Sequence, residues 1–144
     1  MEVKWNGELQ ETYVKEPIGN QTFYMAFQEE QLSSDTIYIN VYMTLYNKKT
    51  QIEENENQIK TTGKNPLATL AAARQAFDML ELDALQVHND KYNVIIACTW
   101  LDNRRRDIYY WFLSRRGYRY GKTPTNKKCI FKKYKKGTFT ESSH

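Results

Sequence analysis

Histidine and cysteine are almost absent from this 144-residue chain, which has two of each. His88 and His144 lie far apart, and Cys98 and Cys129 form no CxxC pair. A His/Cys metal centre is therefore not expected. So few thiols, behind the acidic and polar start MEVKWNGELQ, point to a reducing cytoplasm and not to export. No apolar run approaches the roughly 18 residues that cross a bilayer, so no membrane partner is expected. Phosphate-binding glycine motifs are missing too: neither GxxxxGK(S/T) nor GxGxxG occurs. These absences remove most recognisable chemistries and leave charge, rings and element order to read.

What is present excludes a disordered chain, because 40% of residues are apolar and 14% aromatic. The length suits one domain with a proper core. The net charge of +4 conceals an imbalance. Residues 1–99 hold 8 of the 21 Lys/Arg and 14 of the 17 Asp/Glu. The rest of the chain therefore carries 13 basic and 3 acidic residues. A basic surface this localised attracts polyanions such as nucleic acid, a nucleotide or an acidic protein face. A plain solubilising region that offsets the acidic half is the other reading.

Read in order, residues 1–20 are a short strand or arm, with Pro17 and Gly19 marking a loop. Residues 21–136 form a single α/β domain and 137–144 a flexible tail. Thr22–Phe27 and Thr36–Tyr46 alternate as half-buried strands, joined by the short polar EEQLSSD as an antiparallel pair. In the second strand Ile37, Ile39, Val41, Met43 and Leu45 share one face. Tyr38, Tyr42 and Tyr46 share the other, which is either solvent or a ligand surface. Residues 47–64 are loop. Asn65 and Pro66 then open a helix with Leu67, Leu70, Ala73, Phe77 and Leu80 at spacings of three and four. The preceding Thr62-Gly63-Lys64-Asn65 would present backbone N–H groups to an anion at that helix start, although many ordinary helices begin this way. Val94–Cys98 is a buried strand, with Cys98 an inert core thiol. Lys128–Lys136 is a last strand with lysines on one face or at an edge.

The stretch between those strands, NRRRDIYYWFLSRRGY, reads as a second helix capped by Asp102 or Asn103 and stopped at Gly117. Arg104, Arg105 and Arg106 sit in its first turn, against the helix dipole, whereas Arg115 and Arg116 sit in the last turn with it. Charge placed against local preference marks a candidate polyanion site, to which Arg119, Lys132 and Lys133 add. Exposed arginines that tolerate a small penalty, or that pair with the acidic half, are the bland alternative. Four rings in succession, Tyr109 to Phe112, cover every side of the helix. With Tyr118, Tyr120, Phe131 and Tyr134 they give the mixture that stacks bases and holds phosphates, though without an RNP, KH or zinc-finger pattern.

The order β-β-α-β-α-β, an α+β arrangement of helices packed on a mixed, largely antiparallel sheet, resembles the core of the GCN5-related N-acetyltransferase (GNAT) family. Asn103, Tyr110 and Gly117-Tyr118 resemble that family's N-x-x-A-x-x-x-Y-x-x-x-G-F helix pattern. The resemblance covers about 100 residues and extends to small divergent proteins of bacteriophages. It implies acetyl-CoA held by Thr62, Gly63, Lys64 and Asn65, and Tyr110 or Tyr109 as general acid toward the leaving thiolate. Glu29, Glu30 and Asp35 are the acidic candidates for a base by position. The family's loop has further glycines where this chain has only Gly63, so the resemblance also fits a catalytically degenerate relative.

Overall fold

The structure, a computed structural model, describes residues 1–47, 49 and 66–139. Its first half is a meander. Strands β1 (Lys4–Asn6), β2 (Glu11–Ile18), β3 (Gln21–Ser33) and β4 (Thr36–Asn47) follow one another and pair antiparallel with their sequence neighbours. Phe23, Met25 and Phe27 of β3 and Ile37, Ile39, Val41, Met43 and Leu45 of β4 all enter one core, as a period of two requires. Gly19, at φ 60°, turns β2 into β3, a conformation that carries no steric penalty for glycine. Pro17 lies within β2 but past Tyr13, where the pairing with β1 stops. Among the described residues no neighbouring strand there needs the N–H that proline lacks.

The second half supplies α1 (Pro66–His88), β5 (Asn93–Cys98) and α2 (Asn103–Leu113), then a 3₁₀ turn (Ser114–Arg116), β6 (Arg119–Lys122) and β7 (Lys128–Tyr134). The finished sheet runs β1-β2-β3-β4-β5-β7-β6. Its one parallel pairing among the described residues joins β4 to β5, with Thr36 opposite Asn93 and Val41 opposite Cys98.

This corrects the expected GNAT-like core. Four strands, not two, precede α1, and two follow α2, so seven strands carry only two helices among the described residues. The missed strands have physical reasons. β1 and β2 occupy what reads as an arm, because Pro17 and Gly19 punctuate it. β6 has four residues, one of them Gly121, too few to show alternation. β7 is interior, between β5 and β6.

Both helices feed the same core. Ala73, Ala76, Phe77 and Leu80 of α1 and Ile108, Tyr109, Phe112 and Leu113 of α2 join the strand residues above in a single buried cluster. The small side chains of α1 let it lie close to the sheet. The opposite sheet face carries no helix among the described residues, and polar chemistry holds part of it together. Glu11 is fully buried. Its carboxylate accepts hydrogen bonds from the hydroxyls of Tyr24 and Tyr42 and, at 3.1 Å, from Gln28 Nε2. Tyr13 stacks on Tyr24 with ring centroids 5.2 Å apart. Burial first, and the Glu11 hydrogen bond second, push the Tyr24 hydroxyl far above its ordinary range. Tyr42 is therefore engaged in this knot.

At the end of α1, His88 Nε2 sits 3.0 Å from Glu29 Oε2, where a cation also suits the helix dipole. The adjacent Glu29 carboxylate raises the His88 pKa above 6.5, with burial opposing it and Asp83 and Asp90 assisting. Folded above unfolded means that the pair's stabilisation is complete below the unfolded pKa. It fades as pH rises through the folded one. Urea titrations of the wild type and His88→Gln should differ most near about pH 6 and converge above it. A gap that grows in alkaline solution would contradict the pair.

Candidate functional site

Helix α2 is built as its sequence suggests. Asp102 Oδ1 accepts the Arg105 backbone N–H at 2.9 Å as the N-cap, and Gly117 closes the following turn at φ 84°. The three first-turn arginines then diverge. Arg105 points inward and is 4% exposed. Its Nε donates to the Met43 carbonyl at 3.1 Å, and its Nη1 pairs with Asp102. Arg106 is partly exposed and pairs with Asp107 at 3.1 Å. Arg104 is half-buried, with its Nε lacking a hydrogen-bond partner among the described residues.

The other basic candidates scatter as well. Arg116 lies between Asp78 and Glu81, at 2.5 and 2.9 Å. Lys132 Nζ donates to the Arg116 carbonyl at 2.9 Å. Arg119 and Lys133 are exposed and lie opposite Phe131 and Ile95 on the helix-free face. Arg115 is exposed beyond α2. The eight therefore do not form one patch.

The rings separate in the same way. Tyr109 is wholly buried, and burial pushes its hydroxyl well above the ordinary range. Tyr118 and Tyr134 both donate to Glu81 Oε2, at 2.6 and 2.9 Å. Phe131 lies across Gly121, where a Cβ would collide with its ring. Tyr110 and Tyr120 stay half in solvent and stack with centroids 5.7 Å apart and planes 15° from parallel. Trp100 meets Tyr120 edge-on at 6.2 Å. Asn103, Arg106, Asp107, Lys122 and Lys128 complete the recess around these rings. Trp100, Lys122 and Lys128 were not legible as site residues. Their only signal is position: Lys122 ends β6, Lys128 begins β7, and Trp100 lies two residues past β5.

A second recess lies beside the first and shares Trp100 with it. β5 stops pairing at Cys98, whereas β4 continues to Asn47. Tyr42 to Asn47 therefore have β3 on one side and, among the described residues, no strand on the other. The gap, about 240 Å³, is lined by Tyr42, Thr44, Tyr46, Thr99, Arg105 and Lys127 among others. Ligands of open sheets favour the carboxyl ends of parallel strands at such a junction.

The candidate cofactor loop, Thr62 to Asn65, lies outside the described residues. Of the acidic candidates, Glu29 is occupied by His88, and Glu30 is exposed on the helix-free face. Asp35 accepts from the hydroxyls of Ser33 and Thr36, which hold its carboxyl below the usual range. It stands at the start of β4, the opposite end from the recess. Cys98 and Cys129 are free, buried on opposite sheet faces, and raised in pKa by burial. Neither is placed as a nucleophile. Among the described residues no group of His, Cys, Asp or Glu could hold a metal ion, and no helix is long and apolar enough to cross a membrane. No family model, no curated protein and no solved structure matches this chain, and the site stands on its own chemistry.

Proposed function

We propose that this protein is a cytoplasmic binding module for nucleic acid and that Trp100, Tyr110 and Tyr120 are its base-stacking platform. One observation carries this reading: the half-exposed, stacked Tyr110 and Tyr120, with the partly buried Trp100 edge-on to Tyr120, lie in a recess whose rim holds Arg106, Lys122 and Lys128. A hydrophobic core would bury such rings, and a simple solubilising surface would not array them. A ring stacked on a base contributes about 1–3 kcal/mol, and each phosphate neutralised on a single strand adds roughly 0.7 to the salt slope. The test is anisotropy with labelled oligonucleotides at two salt concentrations. Tyr110→Ala combined with Tyr120→Ala should weaken binding by tenfold or more. Lys122→Gln with Lys128→Gln should flatten the salt slope by about 1.4. No binding of any oligonucleotide by the wild type at low salt would overturn the reading.

A second reading, acyl transfer from acetyl-CoA, is favoured by the open edge of β4 beside the start of α2. Tyr110, its candidate acid, belongs to the ring recess and does not line the β4 gap. Calorimetry with acetyl-CoA decides it: heat of binding supports the transferase, and its absence removes it.

A further inference from the structure

The ring recess ends at Tyr110, but the exposed surface does not. Tyr110 also borders a groove on the far side of α2, lined with Trp111, Arg74, Asp78 and Arg115. Successive residues of an α-helix project about 100° apart, so Tyr110 and Trp111 carry the aromatic surface around the helix from one groove to the next. Trp111 is 53% exposed. It takes part in neither of the ring pairs that engage Tyr110, Tyr120 and Trp100. Leu67, Leu70 and Ala71 of α1 flank it, giving an apolar floor on which its ring can lie. Both ends of this path are basic: Lys122 and Lys128 at one, Arg74 and Arg115 at the other. The acids on it are partly spent, Asp78 on Arg116 and Asp107 on Arg106.

Resting on the nucleic-acid reading above, we infer that the ligand is a single strand, which crosses α2 from the β6–β7 hairpin to α1 and uses Trp111 as its second stacking station. Single strands offer base faces to rings, whereas a duplex has them already stacked. A path of alternating rings and separated cations follows a flexible backbone and gives no flat bed for a rigid double helix.

The test compares labelled oligothymidylates of about 4 and about 12 nucleotides, lengths that bracket a small single-strand site. A 12-base-pair duplex serves as the third probe. Wild type should bind the longer strand more tightly than either the short strand or the duplex. Trp111→Ala should weaken the longer strand by about tenfold, in line with one lost stack, and change the shorter one less than twofold. Trp111→Phe, which keeps a ring, should restore most of the loss. That rescue, with an unchanged melting curve, separates stacking from a structural role. The path across α2 is overturned if the 12-mer binds Trp111→Ala as it binds wild type, or if the duplex is preferred. If no probe binds wild type at all, the nucleic-acid reading itself has failed and this inference falls with it.

Discussion

Arg105→Ala should destabilise the fold by about 3 kcal/mol or more, whereas Arg106→Ala, its neighbour, should cost under about 0.5. Arg105 is nearly buried, donates to the Met43 carbonyl and pairs with Asp102. The alanine variant leaves a mostly buried carboxylate and a buried carbonyl without their donor, the circumstance in which loss of one partner costs most. Asp102 also caps α2, so that helix start should loosen with it. For a chain of this size the loss corresponds to roughly 10 °C in Tm. Urea denaturation of the two single variants measures it. Equal stability of Arg105→Ala and Arg106→Ala would show that Arg105 is not structural. A triple replacement of Arg104, Arg105 and Arg106 would therefore mix a loss of stability with any loss of binding.

Phe77→Ala should cost about 3–5 kcal/mol, the range for a large ring removed from a packed interior. Phe77 is fully buried in α1. Its ring meets Phe27 of β3 at 5.4 Å, Phe112 of α2 at 5.5 Å and Tyr118 at 5.6 Å, each edge-on. The Arg116 guanidinium approaches it at 5.6 Å. One side chain thus ties the meander, both helices and the segment leading into β6. Phe77→Leu keeps most of the volume and should cost under about 1.5 kcal/mol. Chemical denaturation checks both, and a loss below about 1 kcal/mol for Phe77→Ala would mean that the core closes over the gap.

Legibility followed the range of the interaction. The face pattern of Thr36–Tyr46 and the helix opening at Pro66 depend on spacing within one segment, and both were readable. A cap at Asp102 or Asn103, which the structure places at Asp102, and Gly117 as stop were readable for the same reason. The GNAT-like order was not sustained, because short strands leave little period to count and Pro17 looks like loop until its place beyond β1 is known. The arginine cluster misled for a related reason. Arg105 lies three, four and seven residues before Ile108, Tyr109 and Phe112, which are buried, so it sits on the helix's own apolar side. That spacing was available, but charge was read without it. The ring platform required knowing that the β6–β7 hairpin returns Tyr120 to α2, a pairing no local pattern announces.

The two outer strands of the sheet have a consequence for the protein at high concentration. β1 has three residues and leaves most of β2 uncovered, where Pro17 interrupts the outer row of donors. β6 has four residues and ends in Lys122, with Arg119 at its start. Neither margin offers an incoming strand a long, straight, uncharged row of N–H and C=O groups. Edges blunted by brevity, proline and like charge resist edge-to-edge aggregation. Among the described residues, the two outer margins of the seven-stranded sheet therefore carry their own protection against a further strand.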